Sequence, residues 1–596
     1  MIRTIVRSYS IQKYINTTGA QAIYQSLLDN NVDHVFGYTG GAILSVTDTL
    51  YNCNKIKYIK NVNEQCMGHS AEGYSKVTNK PGVIISTSGP GVTNLITVMQ
   101  NAMSDGNPLV ILSGQVGTSF IGTDAFQEAP SVALTKPCTK KSIQITDVND
   151  IPFIMQEAFK ISMEGRKGPV FIDLPKDILS SSIKKINTLY YKNNNTTYEN
   201  KDSNKINKLC VLLQNAKQPI IYAGQGANHI YKEIRYLSKI LNIPVTTTIH
   251  GLGIMDETNN LSLHMLGMHG SVYANKAIQQ SDLILAIGAR FDDRTTGNLD
   301  KYAPNAKKAA LLGKGGIVHF NIDTNQINKI VQSNIHFDGD CKEPIYNLTA
   351  KLNRNKKIIK KIHANNQQWV NHLLHIKHKY PFRYKKAHNN KIKVQQVVEK
   401  INKYSPNAYI TTGVGNHQMY MAQFYDWTRP STMVTSGSLG TMGFGLPSAI
   451  GVQLAKKNAQ VICFDGDGSF MMTGNDLATI KEYNLPIKIF IMNDSRQQMV
   501  HIWQKLFFNE RYISTDNFNP DFNTFAEAFG IEHLYCEDEH SLDSVVQLAI
   551  EYPGPILVNC KVEPDMCTPL VAPGAALDDM IMGDTNVDIC KQDAPC

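Results

Sequence analysis

Short apolar runs recur along the chain, at residues 35–38, 83–86, 109–112, 170–172, 220–223, 461–464 and 487–492. Most of them close on glycine or small polar residues, with helix-like periodicity in between. Runs of this length suit buried strands, and apolar residues returning every three or four positions suit helices. Strand and helix in alternation predict an α/β fold. The pattern divides into three blocks, 15–185, 207–345 and 391–570, each expected to be a doubly wound parallel-sheet domain. Between them, residues 184–206 are rich in Asn and Lys with little to bury, and read as a linker. Residues 344–398 carry no acid and repeat lysine (Lys356, Lys357, Lys360, Lys361, Lys385, Lys386), so they read as a solvated basic linker.

Bulk composition changes this picture little. A chain of 596 residues is too long for one core. No apolar run reaches spanning length, which excludes a transmembrane helix. The 11 cysteines are scattered with no CxxC pair, against a zinc site or disulfide framework and for a reducing compartment. The net charge of +8 is accompanied by no nucleic-acid motif, so no nucleic-acid partner is expected. The opening MIRTIVRSYS is basic and hydroxyl-bearing, and Asp29 is the first acid. It reads either as a short mitochondrial presequence or as a plain basic terminus of a cytoplasmic protein.

The chemistry concentrates in the third block. The strand at 461–464 runs into Asp465-Gly466-Asp467-Gly468-Ser469, and a helix is expected from Ser469 to about Tyr483. The strand at 487–492 then ends on Asn493-Asp494. Glycines let the backbone turn tightly and approach a ligand. The helix start offers free N–H groups to a phosphate. Asp467 with Asn493-Asp494 supplies hard oxygen ligands for Mg²⁺. Two further glycine-dense turns hold Gly415 and the run from Gly440 through Met442 to Gly445, and a short helix containing Trp503 follows the metal turn.

In the first block, Glu64 stands where a strand gives way to a helix, and Gly41, Phe126, Gln127 and Lys176 lie in turns. The middle block lacks GxGxxG but has Gly224-Gln225-Gly226, then His269, then Arg290 through Arg294. Arginines suit a diphosphate or carboxylate partner.

The turn GDGS with a distant N-D resembles the magnesium–diphosphate motif of thiamine diphosphate (ThDP) enzymes, and NEQCMGHSAEGY their catalytic-glutamate segment. With GTMGFGLP, MLGMHG and GARFDDR in order, the chain resembles the acetolactate (acetohydroxyacid) synthase catalytic subunits from about Thr18 to about Leu577. That resemblance implies pyrimidine-binding, FAD-binding and diphosphate-binding domains. It gives Glu64, Gln127 and Met442 catalytic roles, with Met442 propping the cofactor in a bent shape. Gly415, Gly440, Gly468 and Ser469 would hold ThDP. Arg166, Gly224, Gly226, His269, Arg290 and Arg294 would hold FAD. Mg²⁺ would take Asp467, Asp494 and the backbone carbonyl near Arg496. Gly41, Phe126, Lys176, Arg294 and Trp503 would meet the substrate.

The implied reaction decarboxylates pyruvate and ligates the two-carbon unit to a second 2-ketoacid. Implied partners are a second copy, as homodimer or homotetramer, and a small regulatory subunit. The sequence departs from the family at Thr39, Gly117, Asp494, Arg496 and Gln498, mostly around the metal turn. Two alternatives follow: a ThDP decarboxylase or oxidase on the same scaffold, or a cofactor-binding homologue without catalysis. Lys176, Arg294 and Trp503 together favour the carboligase.

Overall fold

The computed structural model describes residues 12–51, 53–186, 202–385 and 387–582. The basic opening segment, residues 187–201 of the first linker, Lys386 and the acidic tail after residue 582 lie outside them.

Three six-stranded sheets carry the fold. The first holds β1 (His34–Gly37), β2 (Lys57–Lys60), β3 (Gly82–Ser86), β4 (Leu109–Gln115), β5 (Lys141–Gln144) and β6 (Pro169–Pro175), in the order 2-1-3-4-6-5. The second holds β7 (Pro219–Ala223), β8 (Val245–Thr247), β9 (Ser262–Met265), β10 (Leu283–Ile287), β11 (Gly316–Asn321) and β12 (Ile335–Asp338), in the order 12-11-10-7-8-9. The third holds β13 (Tyr409–Thr412), β14 (Met433–Val434), β15 (Val461–Gly466), β16 (Lys488–Asn493), β17 (Glu532–Cys536) and β18 (Ile556–Lys561), in the order 14-13-15-16-18-17. Neighbouring strands run parallel in all three.

The first and third sheets thus share one topology, and the middle one has the doubly wound dinucleotide order. In such sheets ligands sit beyond the strand C-termini, where the strand order reverses. Those points are β1/β3, β7/β10 and β13/β15. The glycine turns singled out in the sequence fall there.

Two helices tie the outer sheets together. Asn63 caps α1 (Glu64–Thr78) by accepting from Cys66 N–H, and Asn79 ends it in the left-handed region. From Cys66 to Ser75 the helix is buried. Nearby, α2 (Ile96–Asp105) lies under the same face. A Cβ at Gly73 of α1 would stand 2.1 Å from Ser448 O, so glycine is what allows the close crossing with the third block.

The basic linker expected at 344–398 is largely a packed helix instead. In α3 (Lys356–Lys379), Ile362, Asn366, Trp369, Val370, Leu373 and Ile376 are buried, and Trp369 donates its indole N–H to Pro219 O at 3.1 Å. Their spacing is an amphipathic stripe, and the lysines occupy the wet side. Charge density obscured the period.

The helix expected from Ser469 to about Tyr483 is also broken. After α4 (Gly445–Ala455), the metal turn opens α5 (Asp467–Phe470); a 3-10 turn (Gly474–Asp476) and α6 (Leu477–Glu482) follow. The break delivers Asp476 to the first block, where it accepts from Asn61 Nδ2 at 2.9 Å and Val62 N at 3.3 Å. That contact fixes the loop leading into Glu64.

Candidate active site

At the β13/β15 switch point, the turn after β15 buries Asp467. Its carboxylate accepts from Asn519 Nδ2 at 2.6 Å, Gly468 N at 2.7 Å and Asn517 Nδ2 at 3.4 Å. Burial pushes the Asp467 carboxyl above its ordinary range. Asp494, just past β16, is pushed up to about 7 by burial, with the nearby Asp467 charge adding to the effect. Two neighbouring carboxylates, one buried and one partly buried, are a donor set that a divalent cation would satisfy.

Asn493 is committed elsewhere, to Asn559 at 3.1 Å, Asn519 at 3.1 Å and Ser495 at 3.3 Å. Arg496 donates its backbone N–H to Asp494 at 3.1 Å while its guanidinium pairs with Asp516 at 3.3 Å. Ser469 accepts Gly443 N–H at 2.9 Å, which joins the metal turn to the Gly440–Gly445 run. Gly440 and Gly415 both have positive φ, and Met442 is half-buried beside them.

Asn519 and Asn517 escaped the sequence reading. They lie in an irregular loop about fifty residues from Asp467, and only Asn519-Pro520-Asp521 marks it as a turn.

A cavity of about 1500 Å³ runs between the blocks. Its walls include Arg166, Gly224, Gly226, His269, Arg290, Arg294, Gly415, Gly440 and Trp503. Here the β7 and β10 turns nearly touch: a Cβ at Gly224 would sit 2.5 Å from Gly288 O. Arg166 is held within the first block, donating to Met103 O at 3.0 Å and Ser104 O at 2.6 Å at the end of α2, and from there lines the cavity. Its guanidinium is pushed below its ordinary value by burial and by the nearby charge of Arg290. Two cations side by side in a pocket with glycine walls fit an anionic diphosphate. Burial, with Arg294 nearby, holds His269 down at about 4, so it stays neutral. Trp503 projects into the same cavity from α7 (Gln498–Phe507).

The remaining predicted residues are not brought to this cavity. Glu64 is the first residue of α1, just beyond the end of β2, and accepts from Asn94 Nδ2 at 3.0 Å. Gly41, Gln127 and Lys176 are exposed, and Phe126 is 88% exposed. They lie along the C-terminal edge of the first sheet, from the end of β2 to the end of β6.

Three modules of the thiamine pyrophosphate enzymes match the chain: the N-terminal TPP binding domain over residues 17–134, the central domain over 206–348 and the C-terminal TPP binding domain over 413–560. The chain is thus a thiamine pyrophosphate enzyme by architecture. It is 43% identical to "Acetolactate synthase, mitochondrial" of Schizosaccharomyces pombe, over 96% of this chain and 87% of that one. To the mitochondrial acetolactate synthase catalytic subunit of Saccharomyces cerevisiae it is 42% identical, over 96% and 85%. To the acetolactate synthase large subunit of Porphyra purpurea it is 39% identical, over 95% of each. The chain belongs to the acetolactate synthase family.

Proposed function

We infer that this chain is the catalytic subunit of an acetolactate synthase, joining the two-carbon unit of pyruvate to a second pyruvate or to 2-ketobutyrate in branched-chain amino acid biosynthesis. The observation that carries this reading is similarity over 94–96% of the chain to proteins of that name, spread over fungi, red algae and a mycobacterium.

Gly468, Ser469, Gly415 and Gly440 would hold the diphosphate of ThDP, and Asp467 and Asp494 would hold Mg²⁺, with a carbonyl near Arg496. When bound, ThDP supplies a thiazolium that takes up the electrons left as CO₂ departs. Glu64 would hold the proton exchanged with the cofactor's aminopyrimidine, and Met442 would support the bound cofactor. Arg294 orients the carboxylate of the incoming ketoacid, and Trp503 forms an apolar wall that selects its side chain. Arg166, Arg290, Gly224, Gly226 and His269 would hold FAD, whose part is structural because the reaction involves no net redox change.

Glu64, Gly41, Phe126, Gln127 and Lys176 act on a second copy of the chain. Supporting this, apolar side chains stand exposed around both halves of the site, Phe126 and the fully exposed Phe518 among them. The assembly is therefore a homodimer or a pair of dimers, open to a small regulatory subunit. The mitochondrial names of fungal relatives, with the basic opening segment, support a mitochondrial over a cytoplasmic setting. No helix among the described residues is long and apolar enough to cross a membrane.

The test supplies purified chain with pyruvate, ThDP, Mg²⁺ and FAD and assays the products. Acetolactate is expected. Acetaldehyde, or peroxide with acetate, would reassign the chain to the decarboxylases or oxidases, and no consumption of pyruvate would favour a non-catalytic homologue.

A further inference from the structure

The turn that carries Gly440 and Met442 is gripped from outside its own block. Asn101 and Asp105, one helical turn apart on α2 of the first block, both face it. Asn101 Oδ1 accepts from Ser436 Oγ at 2.6 Å and from Thr441 Oγ1 at 3.3 Å. Ser436 Oγ in turn accepts the backbone N–H groups of Gly440 at 3.1 Å and Thr441 at 2.9 Å. Asp105 accepts from Ser438 N at 2.9 Å and Gly437 N at 3.2 Å. It is also paired with Lys76 at 3.1 Å and His250 at 3.3 Å.

Behind Asn101 stands Glu72, fully buried, which accepts from Asn101 Nδ2 at 2.9 Å and Asn107 Nδ2 at 3.0 Å and meets His69 Nδ1 at 2.8 Å. The His69 ring in turn packs edge-on against Phe444, just past the turn, at 5.1 Å between centroids.

We propose that Asn101 and Asp105 are positioning residues, holding the Ser436–Met442 turn in its cofactor-ready shape through Ser436 Oγ and the Gly437 and Ser438 N–H groups. The physical ground is satisfaction. Asn101 spends its amide N–H on Glu72 and its oxygen on the turn. Its orientation is therefore fixed, and a fixed acceptor fixes Ser436. Without it, the buried Ser436 hydroxyl is free to rotate, and the Gly440 and Thr441 N–H groups it receives lose a fixed partner. The first block then has two separate tasks. Glu64 serves a cofactor on a second copy, while α2 shapes the cofactor turn of its own chain. This rests on the ThDP reading above.

The test is calorimetric titration of ThDP with saturating Mg²⁺ into cofactor-free wild type, Ser436→Ala, Asn101→Ala and the double variant, with thermal melts of each. Each single variant is expected to weaken ThDP by about tenfold; the cofactor-free melt should change little in Ser436→Ala and fall in Asn101→Ala, which also strips a donor from the buried Glu72. The double variant should bind no worse than the weaker single, because both changes break one relay. Ser436→Thr, which keeps the hydroxyl, should restore most of the affinity. If Asn101→Ala does not fold, Ser436→Ala, which leaves the Glu72 bonds in place, decides alone. Unchanged ThDP affinity, or losses that add, would overturn the proposal and leave the ThDP reading intact. A wild-type chain that takes up no ThDP would sink both.

Discussion

Asn519 donates its amide to Asp467 Oδ2 at 2.6 Å and to Asn493 Oδ1 at 3.1 Å, bridging the acid of the metal turn to the end of the neighbouring strand β16. The bridge aligns Asp467 and occupies Asn493, in keeping with the proposal that Asp494 is the second cation ligand. Asn519→Ala is expected to fold and to weaken Mg²⁺ by roughly tenfold, on the scale of one charge-assisted hydrogen bond. Mg²⁺ titration with ThDP present measures this, and an unchanged affinity would reduce Asn519 to a loop-packing residue.

In the proposed reading the carboxylate of Asp494 would stand near the cofactor's diphosphate, while Arg496 pairs its guanidinium with Asp516. If Arg496 offsets the added charge, Asp494→Asn combined with Arg496→Glu should bind Mg²⁺ better than Arg496→Glu alone, by more than the effect of Asp494→Asn in the wild type. Simple additivity would disconnect the two residues. Normal Mg²⁺ binding by Asp494→Ala would return the ligand role to Asn493.

Trp503→Leu is expected to leave pyruvate self-condensation largely intact and to lower the preference for 2-ketobutyrate. One methylene in an apolar pocket is worth about 1–3 kcal/mol, enough for a sizeable product ratio. Competition between the two ketoacids reads it directly, and an unaltered ratio would assign Trp503 to packing.

The alternating fold was legible in the sequence because apolar runs closing on glycine turns became strands: both strands of the first switch point, β1 and β3, and one strand, β7 or β15, at each of the others. What could not be read depends on distance or on masking. Asn101 and Ser436 are 335 residues apart, and nothing local in either segment announces the bond. Asp476 left the expected helix because it serves Asn61, a partner from another block. In α3 the lysine runs hid a regular stripe of Ile362, Trp369, Leu373 and Ile376.

That last correction can be measured. Trp369 is buried in a core cluster of the middle block with Leu373, Ile376 and Tyr380. Trp369→Ala should cost about 3–5 kcal/mol of stability in denaturant unfolding. A solvated linker would lose almost nothing.

Glu257 provides a pH signature. Burial pushes its carboxyl up to about 8, while Ser262 donates to it at 2.7 Å. The folded chain therefore holds a proton that the unfolded chain releases near the ordinary glutamate range. Between that range and about pH 8 the folded state binds more protons, so stability falls as pH rises. Glu257→Gln, which keeps the shape and stays neutral, should flatten the fall in melting temperature between pH 5 and pH 8. An equally steep fall in the variant would place the titration elsewhere.

Completion of each site by a second copy is tested most directly by mixing two inactive variants. Glu64→Gln lacks the proposed proton-sharing acid and Asp467→Ala lacks the carboxylate of the proposed metal turn, and each alone should make no acetolactate from pyruvate. After co-refolding, hybrid dimers contain one site with both groups intact. Activity should return to at most roughly a quarter of wild type, the statistical share of intact sites in randomly mixed dimers. If the mixture stays as inactive as its parents while hybrids are present, Glu64 and Asp467 act within one chain, and the two-copy site is wrong.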